Sequence, residues 1–421
     1  MKQAIILILV FFTGQVFAQQ EIALDSCYNW TRENYPNLKK VGIWEQLTAL
    51  KKENMKTAYL PQLSLNGQAT FQSDVTKVEA QNLPIEISPI SKDQYKAFAE
   101  FRQSIWDGGI SSANAEVEEA ILKSNLSGLE VELYQLNEQV SQTFFTALAI
   151  DKQNMVLEAQ IKALEVRLKE VRSGIENQVV EQSAGWELEA EILNMEQDRI
   201  QLQAGKRAAI KILSILTGKS FKENAGLKFT VEDIQENGYI SRPEKALFSS
   251  QRSQVEKQSE LLSRTRNPKI FGFGQAGYGK PGLNMLNDDF DTYYLVGIGV
   301  SWNAFDWKRT NREKQILQLQ SEMINRKEET FGQNINMLLV RQKEQIDKLK
   351  KLLETDEKMV SLRSNIVRTS ASKLENETIT TSDYIQDVQA ETISLLNAEL
   401  HQIQLNEAKE KYLLIQGKSK K

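Results

Sequence analysis

The chain has 421 residues, with 52 Lys and Arg against 56 Asp and Glu, and a formal charge of −4 excludes the electrostatic footprint of a nucleic-acid binder. One histidine, His401, and one cysteine, Cys27, leave almost nothing for metal ligation or nucleophilic catalysis and allow no internal disulfide. No catalytic residue, cofactor or metal is therefore expected, and no nucleic acid as a partner.

Lys2 precedes the apolar run AIILILVFF, and small and polar residues follow to Ala18, which reads as a secretory signal peptide over 1–18. The run is about nine residues, short of the ~20 that a spanning helix needs, and no later stretch is more apolar. Cys27 lies too far past the cleavage point to be a lipid-bearing first residue, and reads as a small packed side chain.

A first repeat follows over 19–217. It opens with a helix over about 21–57 and continues into PQLSLNGQATF, where Leu63, Leu65, Gly67, Ala69 and Phe71 alternate with Ser64, Asn66, Gln68 and Thr70. Strict period two means a strand, placed over about 60–72, with one apolar side. A polar loop leads to a second strand over about 95–106, with Tyr95, Ala97, Ala99 and Phe101 on one face. A helical hairpin occupies 109–217. No proline occurs between Pro89 and Pro243, and Leu122, Leu126, Leu129, Leu133, Leu136 and Val140 recur at steps of four and three, a coiled-coil seam. Read as one helix, 109–172 would span roughly 95 Å, with a break near RSGIENQ and a return helix to Thr217.

Mixed periodicity over 218–241 reads as a linker, the equatorial segment of the chain. A second repeat then fills 242–417, with strands over about 268–278 and 293–305, a helical hairpin over 306–416, and a tail over 418–421. PKIFGFGQAGY repeats the first strand phrase, and WNAFDWK echoes QSIWDGG. Tyr294, Val296, Ile298, Val300 and Trp302 alternate with Tyr293, Gly297, Gly299, Ser301 and Asn303. His401, in AELHQIQL, falls in the last helical pattern as a surface or packed side chain.

Strands of about ten residues with one apolar face match the ~9 to 11 that cross a bilayer as tilted barrel strands. The other face would line a wet lumen, and Tyr95, Trp106, Tyr294 and Trp302 fit the aromatic girdles at the two interfaces. A half-buried soluble sheet packed on helices has the same period. Four strands cannot close a barrel, so membrane strands require oligomerisation; three copies would give twelve strands, and counting alone does not choose three over two or four.

The signal peptide, the duplicated order of helix, two strands, long helix, tip and return helix, and the junctions Trp106-Asp107 and Phe305-Asp306 resemble the outer membrane efflux proteins of the TolC family. The segment ETITTSDYIQDVQAE carries the same resemblance, which covers nearly all of the mature chain. It implies an all-α chain with a β-barrel segment, built as two tandem repeats: a homotrimer with a 12-stranded barrel in outer membrane lipid and an α-helical tunnel across the periplasm. It further implies a passive exit duct of a tripartite efflux or type I secretion system, not an enzyme. The tunnel would dock on a periplasmic adaptor, or membrane fusion protein, and through it on an inner membrane pump of RND or ABC type. The alternative is a periplasmic adaptor or structural coiled-coil protein without a transmembrane barrel.

By the same resemblance the hairpin tips would touch the adaptor, at Ser173, Gly174 and Ile175 in the first repeat and at Asn376, Glu377 and Thr378 in the second. Glu377 departs from the glycine usual there, and both segments also read as ordinary reversing turns. Asp383, with Gln386 and Asp387 one turn on, stands where the family narrows its periplasmic aperture with acidic side chains. Carboxylates repeated by symmetry would favour cations in a narrow pore. After TTS, Asp383 also fits an N-terminal helix residue stabilised by the helix dipole.

Overall fold

A computed structural model describes residues 21–76, 89–230, 234 and 239–418. The expected signal peptide over 1–18 lies outside the described residues, as do parts of the first strand loop, the linker and the tail. In chain order the elements are β1 (Glu21–Ala23), α1 (Leu24–Asn34), α2 (Lys39–Thr57), β2 (Gln62–Phe71), β3 (Asp93–Trp106), α3 (Ile110–Glu176), α4 (Gln182–Thr217), β4 (Gly226–Lys228), α5 (Pro243–Arg264), β5 (Lys269–Lys280), β6 (Asp291–Ser301), α6 (Arg309–Glu375) and α7 (Thr381–Gln416).

The two helical hairpins match without insertion or deletion. Helices α3 and α6 each have 67 residues, and α4 and α7 each have 36. Residue n of the first hairpin answers to n + 199 in the second, as Asp107 does to Asp306 and Gly218 to Gly417. Each return helix ends on that glycine in the left-handed region, at φ 65° and 86°, which a side chain would disfavour.

The chain divides into two compact units. The first comprises residues up to Leu38, 131–243 and 332–421. In it β1 pairs in parallel with β4, and Ile22, Cys27, Phe144, Phe145 and Leu213 form a fully buried core. Burial pushes the Cys27 thiol up to about 12, so it stays protonated and packs as a small apolar group. His401 sits on α7 with Nδ1 2.7 Å from Asp356 Oδ2.

The second unit comprises 39–130 and 244–331. Its strands form one antiparallel sheet in the order β2, β3, β5, β6. Its helical segments follow the same order. Lys51 pairs with Glu118 at 2.8 Å and Lys52 with Glu119, setting α2 beside α3. Lys257 pairs with Glu116 at 2.9 Å, setting α5 beside α3. Arg252 with Glu328, and the Phe248 and Phe331 rings 5.8 Å apart, set α5 beside α6.

The register gives the sheet two unlike faces. One carries Leu63, Leu65, Ala97, Ala99, Phe101, Ile270, Val296, Ile298 and Val300, and no charged side chain between its two rims. Leu65 is 83 % exposed and Val296 77 %, far more than a core-facing strand would leave. The other face carries Asn66, Gln68, Lys96, Glu100, Arg102 and Gln275. Its glycines are not bare. Phe271 and Phe273 lie over Gly299 and Gly297, where a Cβ would meet the Phe273 ring at 2.6 Å, and the Arg102 guanidinium stacks 4.2 Å from the Phe271 centroid.

Strand ends differ from the periodicity reading. The first strand starts at Gln62, the second at Asp93, the third runs on to Lys280, and the fourth spans Asp291–Ser301 rather than about 293–305. Beyond it the Trp302 indole donates to the Arg266 carbonyl at 2.9 Å, leaving the ladder. A bulge between Ser104 and Trp106 shifts register by one and brings Trp106 opposite Ile270 on the apolar face; unbroken alternation would have put it on the polar one.

Aspartate makes the turn from strand to helix in both halves. Asp107 accepts from the Tyr59 hydroxyl at 2.6 Å, the Gly109 amide at 2.9 Å and the Ser111 amide at 2.7 Å. Asp306 accepts from the Thr310 amide and hydroxyl at 3.0 and 2.5 Å. The following positions are left-handed in both halves: Gly108 and Gly109 in the first, but Trp307 and Lys308, at φ 54° and 61°, in the second, where side chains carry strain. Partial burial raises the Asp107 carboxyl, but the hydrogen bonds from Ser111, Tyr59 and Gly109 outweigh it and hold it at about 2. Asp107→Ala is expected to destabilise the folded chain by about 2 kcal/mol in denaturant melts. Because the folded value is depressed, the wild-type contribution is full above about pH 4 and drains as the pH falls toward 2, so the variant gap narrows in acid.

Candidate functional site at the hairpin tips

Both hairpins reverse by one backbone device. At the end of α3 the Gln178 amide donates to Ile175 O at 2.9 Å and the Val179 amide to Gly174 O at 3.0 Å, with Gln178 left-handed at φ 61°. At the end of α6 the Glu377 amide donates to Leu374 O at 3.0 Å and the Thr378 amide to Lys373 O at 2.9 Å, with Glu377 at φ 55°. These are Schellman-type ends whose left-handed position would suit glycine. Asn177 and Asn376 complete the match, each side chain donating to the serine carbonyl one turn back, Ser173 and Ser372, at 2.8 Å.

This geometry separates the two expected tips. Asn376, Glu377 and Thr378 are the second reversal, and their counterparts are Asn177, Gln178 and Val179. Ser173, Gly174 and Ile175 lie in the last turns of α3, before the reversal. Gly174 serves close packing, since a Cβ there would lie 2.6 Å from Val180 Cγ2.

Behind the tips the hairpins share a core of Ile161, Leu164, Leu168, Val171, Leu188, Ile192, Tyr384, Ile385 and Val388. Polar links cross between them. Arg167 on α3 pairs with Glu375 on α6 at 3.0 Å and stacks 5.5 Å from the Tyr384 ring on α7, and the Gln389 amide donates to Glu191 on α4 at 2.7 Å. Sequence reasoning missed Arg167: beside the heptad seam it pairs with Glu170 one turn on along its own helix at 2.7 Å, an ordinary surface pair, and its links to α6 and α7 arise only from packing.

The aperture candidates separate as well. Thr380 caps α7: its hydroxyl accepts from the Asp383 amide at 3.1 Å, while its own amide donates to Asp383 Oδ2 at 3.1 Å, a capping box. The Thr380 hydroxyl also lies 2.7 Å from that oxygen. These bonds, the hydroxyl's first, hold the Asp383 carboxyl below the usual carboxylate range. Asp383 and Gln386 are exposed, one turn apart, whereas Asp387 is half-buried and takes a hydrogen bond from Ser370 on α6. Asp383→Ala is expected to speed amide exchange over the first turn of α7 and leave its later turns unchanged.

The expected girdle aromatics fall at the two ends of the sheet. Tyr95 and Tyr294 stand toward the loop end of the apolar face, and Trp106 and Trp302 at the helix end. Among the described residues no helix is long and apolar enough to cross a membrane, and no group of three or more His, Cys, Asp and Glu could hold a metal.

No family model matches the sequence, and neither does any curated protein. Solved structures do match. The outer membrane protein VceC of Vibrio cholerae superposes with a TM-score of 0.64 at 12 % identity, over 94 % of this chain and 95 % of that one. The Neisseria gonorrhoeae MtrE outer membrane channel, in its open state, gives 0.65 at 13 %, over 94 % and 89 %. The outer-membrane channel OprN gives 0.66 at 10 %, over 94 % and 89 %. At this identity the likeness is one of fold, and it runs through both repeats.

Proposed function

We propose that the chain, whose fold is that of these solved outer membrane channels, is itself an outer membrane exit duct: a passive conduit whose strands close into a barrel between copies. One observation carries the reading. Among the described residues the second unit is an open ribbon whose sheet and helices share one order and whose two edges are both unpaired and apolar. At one edge β2 stands over α2, which exposes Ile43, Leu47 and Leu50; at the other β6 stands over α6, which exposes Ile316, Leu319 and Met323. These spacings of four and three are half-seams of a helix pair. Strand directions alternate from β2 to β6, so β6 of one copy can continue antiparallel to β2 of the next, and helix α6 meets α2 in the same step. The contact joins unlike edges, so it propagates head to tail until a ring closes.

Ring closure removes the sheet edges, which lipid does not tolerate, and fixes the sides. The face without charges turns to lipid and the face with Lys96, Glu100 and Arg102 to the lumen. Three copies give twelve strands, wide enough for an open channel. On this reading the tips face the periplasm and meet an adaptor, which couples the duct to an inner membrane pump of RND or ABC type. Asn177, Gln178 and Val179 then join Asn376, Glu377 and Thr378 as the contact, with Ser173, Gly174 and Ile175 behind them. Three Asp383 side chains, kept ionised by Thr380, ring the aperture with Gln386, while Asp387 holds α7 to α6. A conduit of this kind performs no catalysis, and its cargo is set by its partners. The test is to fractionate cells and size the detergent-extracted protein. A trimer in the outer membrane supports the duct, and a soluble periplasmic monomer favours the structural coiled-coil reading.

A further inference from the structure

The loop between β5 and β6 folds to one particular side of the sheet. Phe290, its last residue before β6, packs against Tyr278 with ring centroids 5.4 Å apart and against Tyr95 at 6.4 Å, both near parallel. By register Tyr95 and Tyr278 are neighbours on the apolar face, since Tyr278 pairs with Ala97 and Tyr95 with Lys280. The loop thus turns over the rim toward that face and away from the polar one.

It is also held there. Asp288 accepts from the Ser91 amide at 2.6 Å and its hydroxyl at 2.5 Å, and Lys280 Nζ lies 3.4 Å from the same carboxylate. Two local turns stiffen the segment, with the Leu286 amide on Asn284 Oδ1 and the Asp289 amide on Asn287 Oδ1. Yet this tethered loop leaves Leu283, Met285 and Leu286 about 60 % exposed, three large apolar side chains at its apex. A loop above the rim in water would have no use for such an apex, whereas one lying against the membrane does.

We propose that this loop is a lipid-facing foot: Leu283, Met285 and Leu286 insert at the boundary between headgroups and acyl chains of the outer leaflet, continuing the apolar face of the strands around the rim. The inference rests on the barrel reading, because only that reading puts lipid against the face to which the loop turns. The aromatic stack of Tyr95, Phe290 and Tyr278 forms the hinge of the foot at interfacial height, where amphipathic rings settle. Asp288 is a positioning residue that fixes the loop over the rim and touches no lipid itself.

The fully buried Cys27 leaves a new surface cysteine as the one site open to a labelling reagent. Spin labels placed by Met285→Cys, Ile298→Cys and Gln275→Cys in the full-length assembled protein, in phospholipid vesicles, report collision with dissolved oxygen, which concentrates in lipid, and with a water-soluble nickel chelate. At 285 the oxygen collision rate is expected to exceed the chelate rate several-fold, as at 298, while at 275 the chelate dominates. Adding Asp288→Ala is expected to shift 285 toward the chelate and to narrow its spectrum without moving 298. Chelate dominance at 285 with oxygen dominance at 298 overturns the foot and leaves the barrel standing. Chelate dominance at 298 as well overturns both.

Discussion

A Val296→Arg chain is expected to vanish from the outer membrane fraction, while Gln275→Arg accumulates there as wild type does. The two positions lie on adjacent paired strands, with Gln275 directly opposite Leu295, one residue from Val296, so both stand at the same height in the sheet. Side does. Val296 lies mid-strand on the uncharged face, which the proposed barrel turns to lipid; an arginine at bilayer depth there costs about 2–4 kcal/mol per copy, and the proposed ring repeats that cost in every copy. Gln275 lies among Glu100, Arg102 and Lys96, where a further guanidinium stays hydrated. Heat-modifiable migration of membrane extracts reads the result. Equal loss of both variants would mean that the two faces see the same surroundings, as in a soluble sheet packed on helices.

Leu319→Asp is expected to turn the oligomer into monomer, and Leu47→Asp to do the same from the opposite edge. Each side chain stands in the middle of an exposed apolar stripe on an edge helix, Ile316 to Met323 on α6 and Ile43 to Leu50 on α2. Leu319 is 61 % exposed and Leu47 45 %, and neither belongs to a buried core cluster, so the isolated protomer is expected to keep its fold. A carboxylate in the closed seam, by contrast, loses leucine packing worth roughly 3 kcal/mol at each interface and must be desolvated without a partner. Size-exclusion chromatography in detergent, with light scattering, gives the mass directly. A Leu319→Asp chain that keeps the wild-type mass would show that α6 does not form the joint.

The sequence disclosed what depends on local period. Strands with alternating faces and helices with steps of three and four were legible because one side chain in two or in three to four must find an apolar surface. The bulge before Trp106 was not legible, since it needs knowledge of the partner strand, and Ser104 and Ile105 carry no glycine or proline to announce it. The first expected tip stands apart from its reversal, unlike the second, for a different reason. Ser173, Gly174 and Ile175 resemble a tip by residue type, yet counting back from the terminal glycines, Gly218 and Gly417, places the reversal at Gln178 and Glu377. That signal was in the sequence. The links of Arg167 to Glu375 and of Asp387 to Ser370 were not, because they arise only when separate helices lie side by side. The loop beneath Phe290 was hidden likewise: its chemistry reads as a polar connection until the stack with Tyr95 and Tyr278 shows which way it turns.

If copies of this chain enclose a water-filled path, planar bilayer recording of the purified, detergent-extracted oligomer shows it. Discrete conductance steps are expected, one per inserted ring, with a cation preference that falls in Asp383→Ala. Protein that inserts with no step above the bare bilayer, or that leaves the bilayer intact because it does not insert, would contradict the enclosed path.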